Sequence, residues 1–517
     1  MSAESSGTQG QHRTALATSI LAAAAALLLL RLFVIAVPAL WIDEAFSLYH
    51  ARLPLAQLWG EGWRLESSPP LYYTALWAWI RIAADSEPSS RLFSLLLTAL
   101  AAVFVYRGAR SLAGPAAGAI AVLVWFLPAL GLEFSMEIRP YALQQCLIAI
   151  AVSAFAGLLS AWGRRRSPGL RGALVYLSPI VLACTAAFYT HTTSLVFICS
   201  LATAALYFGW VSGAGLRFFK VWVAACIVLL ILCLPQIYAA SGVLATNRSG
   251  LAWIPSSFDP VTLSRLIREL TLGSHYWGFA YAWLMVALVS VVLGLSAWRI
   301  RKEAKVFATC AVVPATGAVL MVLAALVQPI LLSRTALWLW IPLATLLGCV
   351  AVTLDWKRLL PRFASAALIG VFLFSSLDYL NGRAEQRPWS KTMLDISTRA
   401  MPGDRVLVID PEVACVLDHY AQGPLHDLPR LRLELGPGQQ YRSRQRLDIV
   451  CNRLAEIELS QVARAGTGGD WILTDGPWQR ADLTAILTAT RGNVRVTDTI
   501  RGAGQVQATR LVRVAQP

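Results

Sequence analysis

Two adjacent acids, Asp43 and Glu44, stand in the segment Trp41-Ile42-Asp43-Glu44-Ala45, a few residues after a long apolar run. Carboxylates at a membrane edge are costly to place and are repelled by anionic lipid. Such a group suits a general base, a metal ligand, or both. The same pair would also complement the dipole of a helix that starts after Trp41. Glu66 precedes Pro69-Pro70-Leu71-Tyr72-Tyr73 and is a second candidate acid, beside prolines that end a loop and open a helix. In Glu137-Ile138-Arg139-Pro140-Tyr141, the arginine offers forked donors that match a phosphate, next to a helix start that favours anions. A plain Glu-Arg surface pair would be worth little. Tyr189-Thr190-His191-Thr192-Thr193 supplies an imidazole that could bind a metal, donate to a substrate, or serve the fold. His275, before Tyr276-Trp277, is a further substrate or metal candidate with an aromatic-belt alternative. Arg334 is a cation at a span end, which an anionic group would partner unless it simply snorkels.

The elements that must carry these residues are mostly apolar. Of 517 residues 57% are hydrophobic and 14% charged, with a mean hydropathy of +0.58. Soluble chains run nearer a quarter charged. Residues 1–381 hold 40 Asp, Glu, Lys and Arg, whereas 382–517 hold 33, so the chain divides into a membrane part and a part of soluble composition. Most of the net charge of +15 falls in the apolar part, where short basic loops explain it better than nucleic acid does. Apolar runs occur near 15–37, 92–110, 115–132, 141–161, 173–189, 192–211, 219–240, 279–297, 306–327, 335–354 and 363–380. Each approaches the ~20 residues a helix needs to cross the hydrocarbon core. Residues 1–14 read as a cytoplasmic tail and 15–37 as an uncleaved first span.

The segment 69–83 is short and aromatic and ends near Arg81. If it lies along the interface, Arg107, Arg110, the Arg164-Arg165-Arg166 triplet, Arg217, Lys220, Arg299 and Lys357 all share one side, as the positive-inside rule requires. Eleven spans then place the N-terminus inside and the C-terminal part outside. The first outer loop is 38–91, and Asp43, Glu44, Glu66, Glu137, Arg139, Tyr141, His191, His275 and Arg334 gather on the outer face.

In that order along the chain, the motifs resemble the GT-C glycosyltransferases. The shared features are Asp43-Glu44, Pro69-Pro70-Leu71-Tyr72-Tyr73, Ser86-Glu87 with Arg91-Leu92-Phe93-Ser94, Glu137-x-Arg139-Pro140-Tyr141-Ala142-Leu143, and the Tyr189-Thr190-His191 turn. The branch resembled includes the protein mannosyltransferases, the aminoarabinose transferases and the galacturonosyltransferases of bacterial lipopolysaccharide. The resemblance covers roughly residues 15–380. It implies a polyprenyl-phosphate sugar donor used at the outer leaflet of a bacterial inner membrane, with Asp43 as the catalytic base and Glu44 beside it. The acceptor would be an envelope glycolipid, glycan or protein. Arg139, Tyr141 and Arg334 are then candidates for the donor phosphate, and Glu66, Glu137, His191 and His275 for substrate or a metal. A divalent cation is a candidate cofactor whose identity the sequence leaves open. Two departures stand out. The family often has His or Glu-Lys before the prolines, where this chain has Ser67-Ser68, and a late Arg-Tyr is here Arg334-Thr335.

No Walker loop, zinc pattern or dinucleotide motif occurs, which argues against a nucleotide cofactor. A secondary transporter or lipid flippase is the alternative class, but it would need ionisable groups in mid-span, and the runs hold few besides end residues such as Arg31. Residues 382–517 read as an extracytoplasmic α/β domain. Strands are expected at 404–410 and 471–475, a helix at 412–421 and another at 483–489, and final strands near 493–497 and 506–514. Cys415 and Cys451 could pair there. The other seven cysteines lie in apolar runs and read as small hydrophobes.

Overall fold

The computed structural model describes the chain apart from residues 1, 36–39, 64–67, 163–168, 247–259, 274–278, 328–329, 384–388, 410, 421–427, 435–454, 459–461, 463–467, 476–483, 485, 489–493, 502–505 and 514–517. In chain order the helices are α1 (Ser2–Val34), α2 (Ile42–Arg52), α3 (Leu71–Ile82), α4 (Glu87–Ala113), α5 (Pro115–Phe126), α6 (Ala129–Phe134), α7 (Tyr141–Trp162) and α8 (Leu170–Phe188). They continue as α9 (Ser194–Val211), α10 (Gly215–Thr246), α11 (Pro260–Leu272), α12 (Phe279–Ile300), α13 (Ala304–Val327), α14 (Trp340–Ala351), α15 (Leu359–Arg383) and α16 (Trp389–Arg399). The rest is β1 (Arg405–Val408), α17 (Pro411–Tyr420), β2 (Arg430–Glu434), β3 (Ala455–Glu458), β4 (Asp470–Asp475), β5 (Val494–Arg501) and β6 (Val506–Arg513).

Among the described residues, nine helices are long and apolar enough to cross a membrane, and two shorter apolar ones occur at Pro115–Phe126 and Leu337–Ala351. Together they account for the eleven apolar runs, and the protein is a multi-pass membrane protein. Helix α3 has 12 residues. It buries Tyr72, Tyr73, Leu76 and Ile80.

The chain forms two compact units, and each is described by itself. The first comprises Met1–Ile35, Glu66–Val243 and Ala252–Asn381. Its two ends differ. At one end Ser160 Oγ donates to the Ser111 carbonyl at 2.9 Å, Trp162 Nε1 to the Ala214 carbonyl at 3.4 Å, and Arg299 Nη2 to the Thr353 carbonyl at 2.6 Å. This end carries the basic loops. At the other end the Leu71 N–H donates to the Tyr189 carbonyl at 3.1 Å, Ser94 Oγ to the Glu137 carbonyl at 2.6 Å, and Trp340 Nε1 to the Leu270 carbonyl at 2.8 Å.

Helix α5 is short because Pro128 interrupts the run. Carbonyls freed by such a break must be satisfied inside lipid. Arg31 Nη2 donates to the Phe126 carbonyl at 2.8 Å, with its guanidinium 4.8 Å from the Phe126 ring. Ser376 Oγ donates to the Leu127 carbonyl at 2.7 Å. Arg31, a charge near a span end, therefore has a structural role.

The second unit comprises Ala36–Leu65, Leu244–Leu251 and Gly382–Pro517. Its six-stranded sheet has the order β3-β2-β1-β4-β6-β5, parallel from β3 to β4 and antiparallel through β6 and β5. Leu407, Ile409, Ile472, Ile486 and Leu511 form its core. Helix α17 follows β1 and packs on α2. Thus 36–65, expected within the first outer loop of the membrane part, clusters with the soluble part. Cys415 on α17 is disulfide-bonded, and Cys451 lies outside the described residues. The seven cysteines of the apolar runs are free.

Candidate functional site

Three cationic or imidazole side chains distant in sequence come together at the polar end of the first unit. Arg139 lies in the turn before α7, with its guanidinium 6.0 Å from the ring of Tyr141, the first residue of that helix. The Tyr141 and His191 rings are 5.7 Å apart. Burial, with the Arg139 and Arg334 guanidiniums nearby, pushes the His191 imidazole down to about 3. His191 is therefore neutral at physiological pH. Its Nδ1 accepts from the Thr193 N–H at 3.3 Å and meets the Thr193 hydroxyl at 2.8 Å. Gln144 Nε2 donates to Thr193 Oγ1 at 3.2 Å and to Ser194 Oγ at 2.9 Å. With Nδ1 occupied as an acceptor, the neutral ring carries its proton on Nε2. The result is an uncharged donor within the field of two guanidiniums.

Arg334 sits on a 3-10 turn, Ser333–Thr335. The Thr335 hydroxyl accepts from the Leu332 N–H at 3.2 Å and donates to the Ile330 carbonyl at 2.8 Å. Threonine after Arg334 thus has a structural reason: it closes the turn that presents the arginine. The turn packs on α11, an element that the sequence reading missed. Ser333 Oγ donates to Glu269 Oε2 at 2.8 Å. Burial raises the Glu269 carboxyl, opposed by Ser333 and by Arg265, Arg334 and Arg268. A signal for α11 exists in Asp259-Pro260, a helix start, followed by apolar residues at 263, 266, 267 and 270. The helix ends at Gly273, where φ is +88°, and an added Cβ would stand 2.7 Å from the Ala129 Cβ. Glycine is required there both by conformation and by contact.

Asp43 and Glu44 belong to the second unit, and the structure separates their roles. Glu44 is the third residue of α2 and is buried, with its Oε2 accepting from the Trp41 N–H at 3.4 Å. This is the back-reaching half of a capping box. Asp43, one residue earlier, is only half-buried. Glu137 lies in the turn with Arg139, held through its carbonyl by Ser94. Glu66 and His275 lie outside the described residues. Among the described residues no group of three or more His, Cys, Asp or Glu is placed to hold a metal ion.

No family model matches the sequence, and no curated protein matches it. The fold is nonetheless shared with solved structures. The crystal structure of ArnT from Cupriavidus metallidurans bound to undecaprenyl phosphate aligns with a TM-score of 0.60 at 12% identity, covering 95% of this chain and 97% of that one. The apo state of the same protein gives 0.59 at 13% identity over 96% and 98% of the two chains. The Archaeoglobus fulgidus oligosaccharyltransferase tethered with an acceptor peptide gives 0.51 at 11% identity over 91% of this chain and 70% of that one. At these identities the likeness establishes the fold, which is that of the GT-C membrane proteins.

Proposed function

We propose that this protein is a membrane glycosyltransferase that moves a sugar from a polyprenyl-phosphate donor to an extracytoplasmic acceptor. The observation that carries the reading is the cluster of Arg139, Arg334 and neutral His191, in a fold whose ArnT example was crystallised with undecaprenyl phosphate. Guanidiniums recognise phosphate through charge-assisted forked bonds. A neutral histidine donating through Nε2 adds a hydrogen bond without a titrating charge.

The reaction we assign is a direct inverting displacement. The acceptor oxygen attacks the anomeric carbon, the bond from that carbon to the phosphate oxygen breaks, and polyprenyl phosphate leaves with the electron pair. Asp43 takes the acceptor proton, a role worth ~10²–10⁴-fold for a positioned base. Arg139, Arg334 and His191 stabilise the phosphate as its charge grows.

The bacterial inner membrane suits this donor. The basic loops at one end of the bundle favour the cytoplasmic side for that end. The phosphate cluster then faces the periplasm, and the Cys415 disulfide favours the same oxidising compartment for the second unit. Acceptors of this kind are envelope glycolipids, glycans or proteins.

The test compares envelope glycolipids and glycoproteins by mass spectrometry in cells lacking the gene and in cells complemented with wild type or Asp43→Asn. A sugar mass absent from the deletion strain, restored by wild type and not by an Asp43→Asn protein that still inserts in the membrane, supports the assignment. Full restoration by Asp43→Asn removes Asp43 from the chemistry.

A further inference from the structure

The segment that bears Asp43 belongs to the second compact unit together with residues 382–517. Helix α2 buries Ile42, Ala45, Phe46 and Leu48, and α17 buries Val413, Val416 and Leu417. The two helices pack on each other. Directly before α2, the Leu40 backbone N–H donates to the phenolic oxygen of Tyr420 at 2.7 Å. Leu40 is fully buried, so this N–H needs a partner, and the Tyr420 hydroxyl is one. Tyr420 is the last residue of α17. The Trp41 N–H, one residue on, is taken by Glu44. Two successive backbone donors ahead of Asp43 are thus held by side chains, one local and one from 380 residues away.

We infer that the C-terminal domain is a positioning element for Asp43, acting through Tyr420 on α17, which fixes the start of α2. This rests on the reading of Asp43 as the base, and it goes beyond that reading by giving the domain a role in the chemical step. Tyr420 touches neither donor nor acceptor in this proposal. It sets the first turn of α2, from whose second position the Asp43 side chain projects. The geometry needed is narrow, since small displacements of a catalytic group cost large factors in rate. The β1-α17 unit is suited to the task. Helix α17 is backed by the sheet and stapled by the Cys415 disulfide.

The full-length protein in nanodiscs tests this with the variant Tyr420→Phe, which keeps the ring and removes the acceptor oxygen. Undecaprenyl-phosphate sugars extracted from source membranes serve as donor and the membrane glycolipid and glycoprotein fraction as acceptor. The expected kcat falls about 3- to 10-fold, the size of one net hydrogen bond, while KM for the donor is unchanged. Amide exchange over residues 40–48 accelerates and that of β1 and β4 does not. Adding Tyr420→Phe to Asp43→Asn costs nothing further. An unchanged melting temperature and an intact Cys415 disulfide confirm that the variant is folded. Unchanged kcat, with or without faster exchange, overturns the positioning role, as does a loss that multiplies fully with that of Asp43→Asn. Full activity of Asp43→Asn alongside an impaired Tyr420→Phe would instead overturn the reading of Asp43 as base, separating the two failures.

Discussion

The two units treat charge in opposite ways. In the second unit Asp404 is fully buried, and its carboxylate accepts from Arg510 Nη2 at 2.7 Å, Arg510 Nε at 2.9 Å, the Gly469 N–H at 2.6 Å and Trp471 Nε1 at 3.0 Å. Arg405 and Asp470 form a second forked pair alongside, at 2.7 and 2.8 Å. Each of these two carboxylates faces a guanidinium. At the polar end of the first unit, Arg265, Arg268 and Arg334 act on one carboxylate, Glu269, while Arg139 and Arg334 act on a histidine that stays neutral. A balanced network specifies and rigidifies a fold. In the other cluster the cations surround a neutral imidazole and one carboxylate, and the function proposed above gives them a phosphate to hold. A buried arginine is therefore not by itself a functional sign.

The largest expected effect breaks the balanced network. Asp404→Asn leaves Arg510 buried beside a neutral amide and should destabilise the second unit by about 3–5 kcal/mol, as loss of one partner in a buried pair does. Thermal unfolding of the purified protein measures this, and undecaprenyl phosphate binding by the folded protein should stay unchanged. The same carboxylate predicts a pH dependence. Burial alone would raise the Asp404 carboxyl, but the donors of Arg510, Gly469, Met401 and Trp471 hold it below its ordinary value. Its stabilisation is therefore complete above the unfolded carboxylate range, about 3.9, and is lost as pH falls through the lower folded value. Asp404→Asn removes that acid limb from a plot of melting temperature against pH.

A smaller effect is expected in the cationic cluster. Arg334→Ala should weaken binding of undecaprenyl phosphate about 10- to 100-fold, the range of one charge-assisted interaction, with no change in unfolding of the second unit. Fluorescence or calorimetric titration reads it, and Lys at 334 should restore only part because it lacks the fork. Equal stability loss in both units would show that Arg334 serves the fold and not an anion. Smaller again, Glu44→Ala removes the back-reaching half of the capping box and should cost about 0.5–2 kcal/mol, seen as faster amide exchange in α2. The smallest effect is an absence. Because His191 is held near 3 in the folded protein, the rate profile should show no limb of its own between pH 5 and 8. Stability should fall as pH drops below about 6.5, because the unfolded histidine then binds a proton that the folded one refuses. A rate limb near pH 6.5 that disappears in His191→Gln would contradict the neutral donor.

Much of the fold was legible beforehand. The eleven apolar runs each became a helix, and β1, α17, β4 and β6 fall within a few residues of the segments that their flanking turn residues marked. Strands β2 and β3 were not anticipated. They are four or five residues long, and Arg430-Leu431-Arg432-Leu433-Glu434 places charges at every second position. That alternation is itself a strand signal, but over five residues it is short, and pairing with β1 in parallel register is what fixes it as a strand. Helix α11 was missed for a related reason: its arginines and Glu269 make it look like a loop, although Leu266, Arg268 and Leu272 are buried.

Sequence alone determined that this is a multi-pass membrane protein with a soluble C-terminal part, because transfer of a side chain from water to lipid is a property each segment carries by itself. It also nominated Asp43, Arg139, His191 and Arg334 from residue type and neighbours. Tertiary structure alone decided that Arg139, His191 and Arg334 share one electrostatic environment, that burial keeps His191 neutral, and that Tyr420 holds the residue before Trp41. These facts depend on burial and on contacts between residues separated by tens to hundreds of positions. No local pattern encodes such separations, and only the packed chain brings those groups within range of one another.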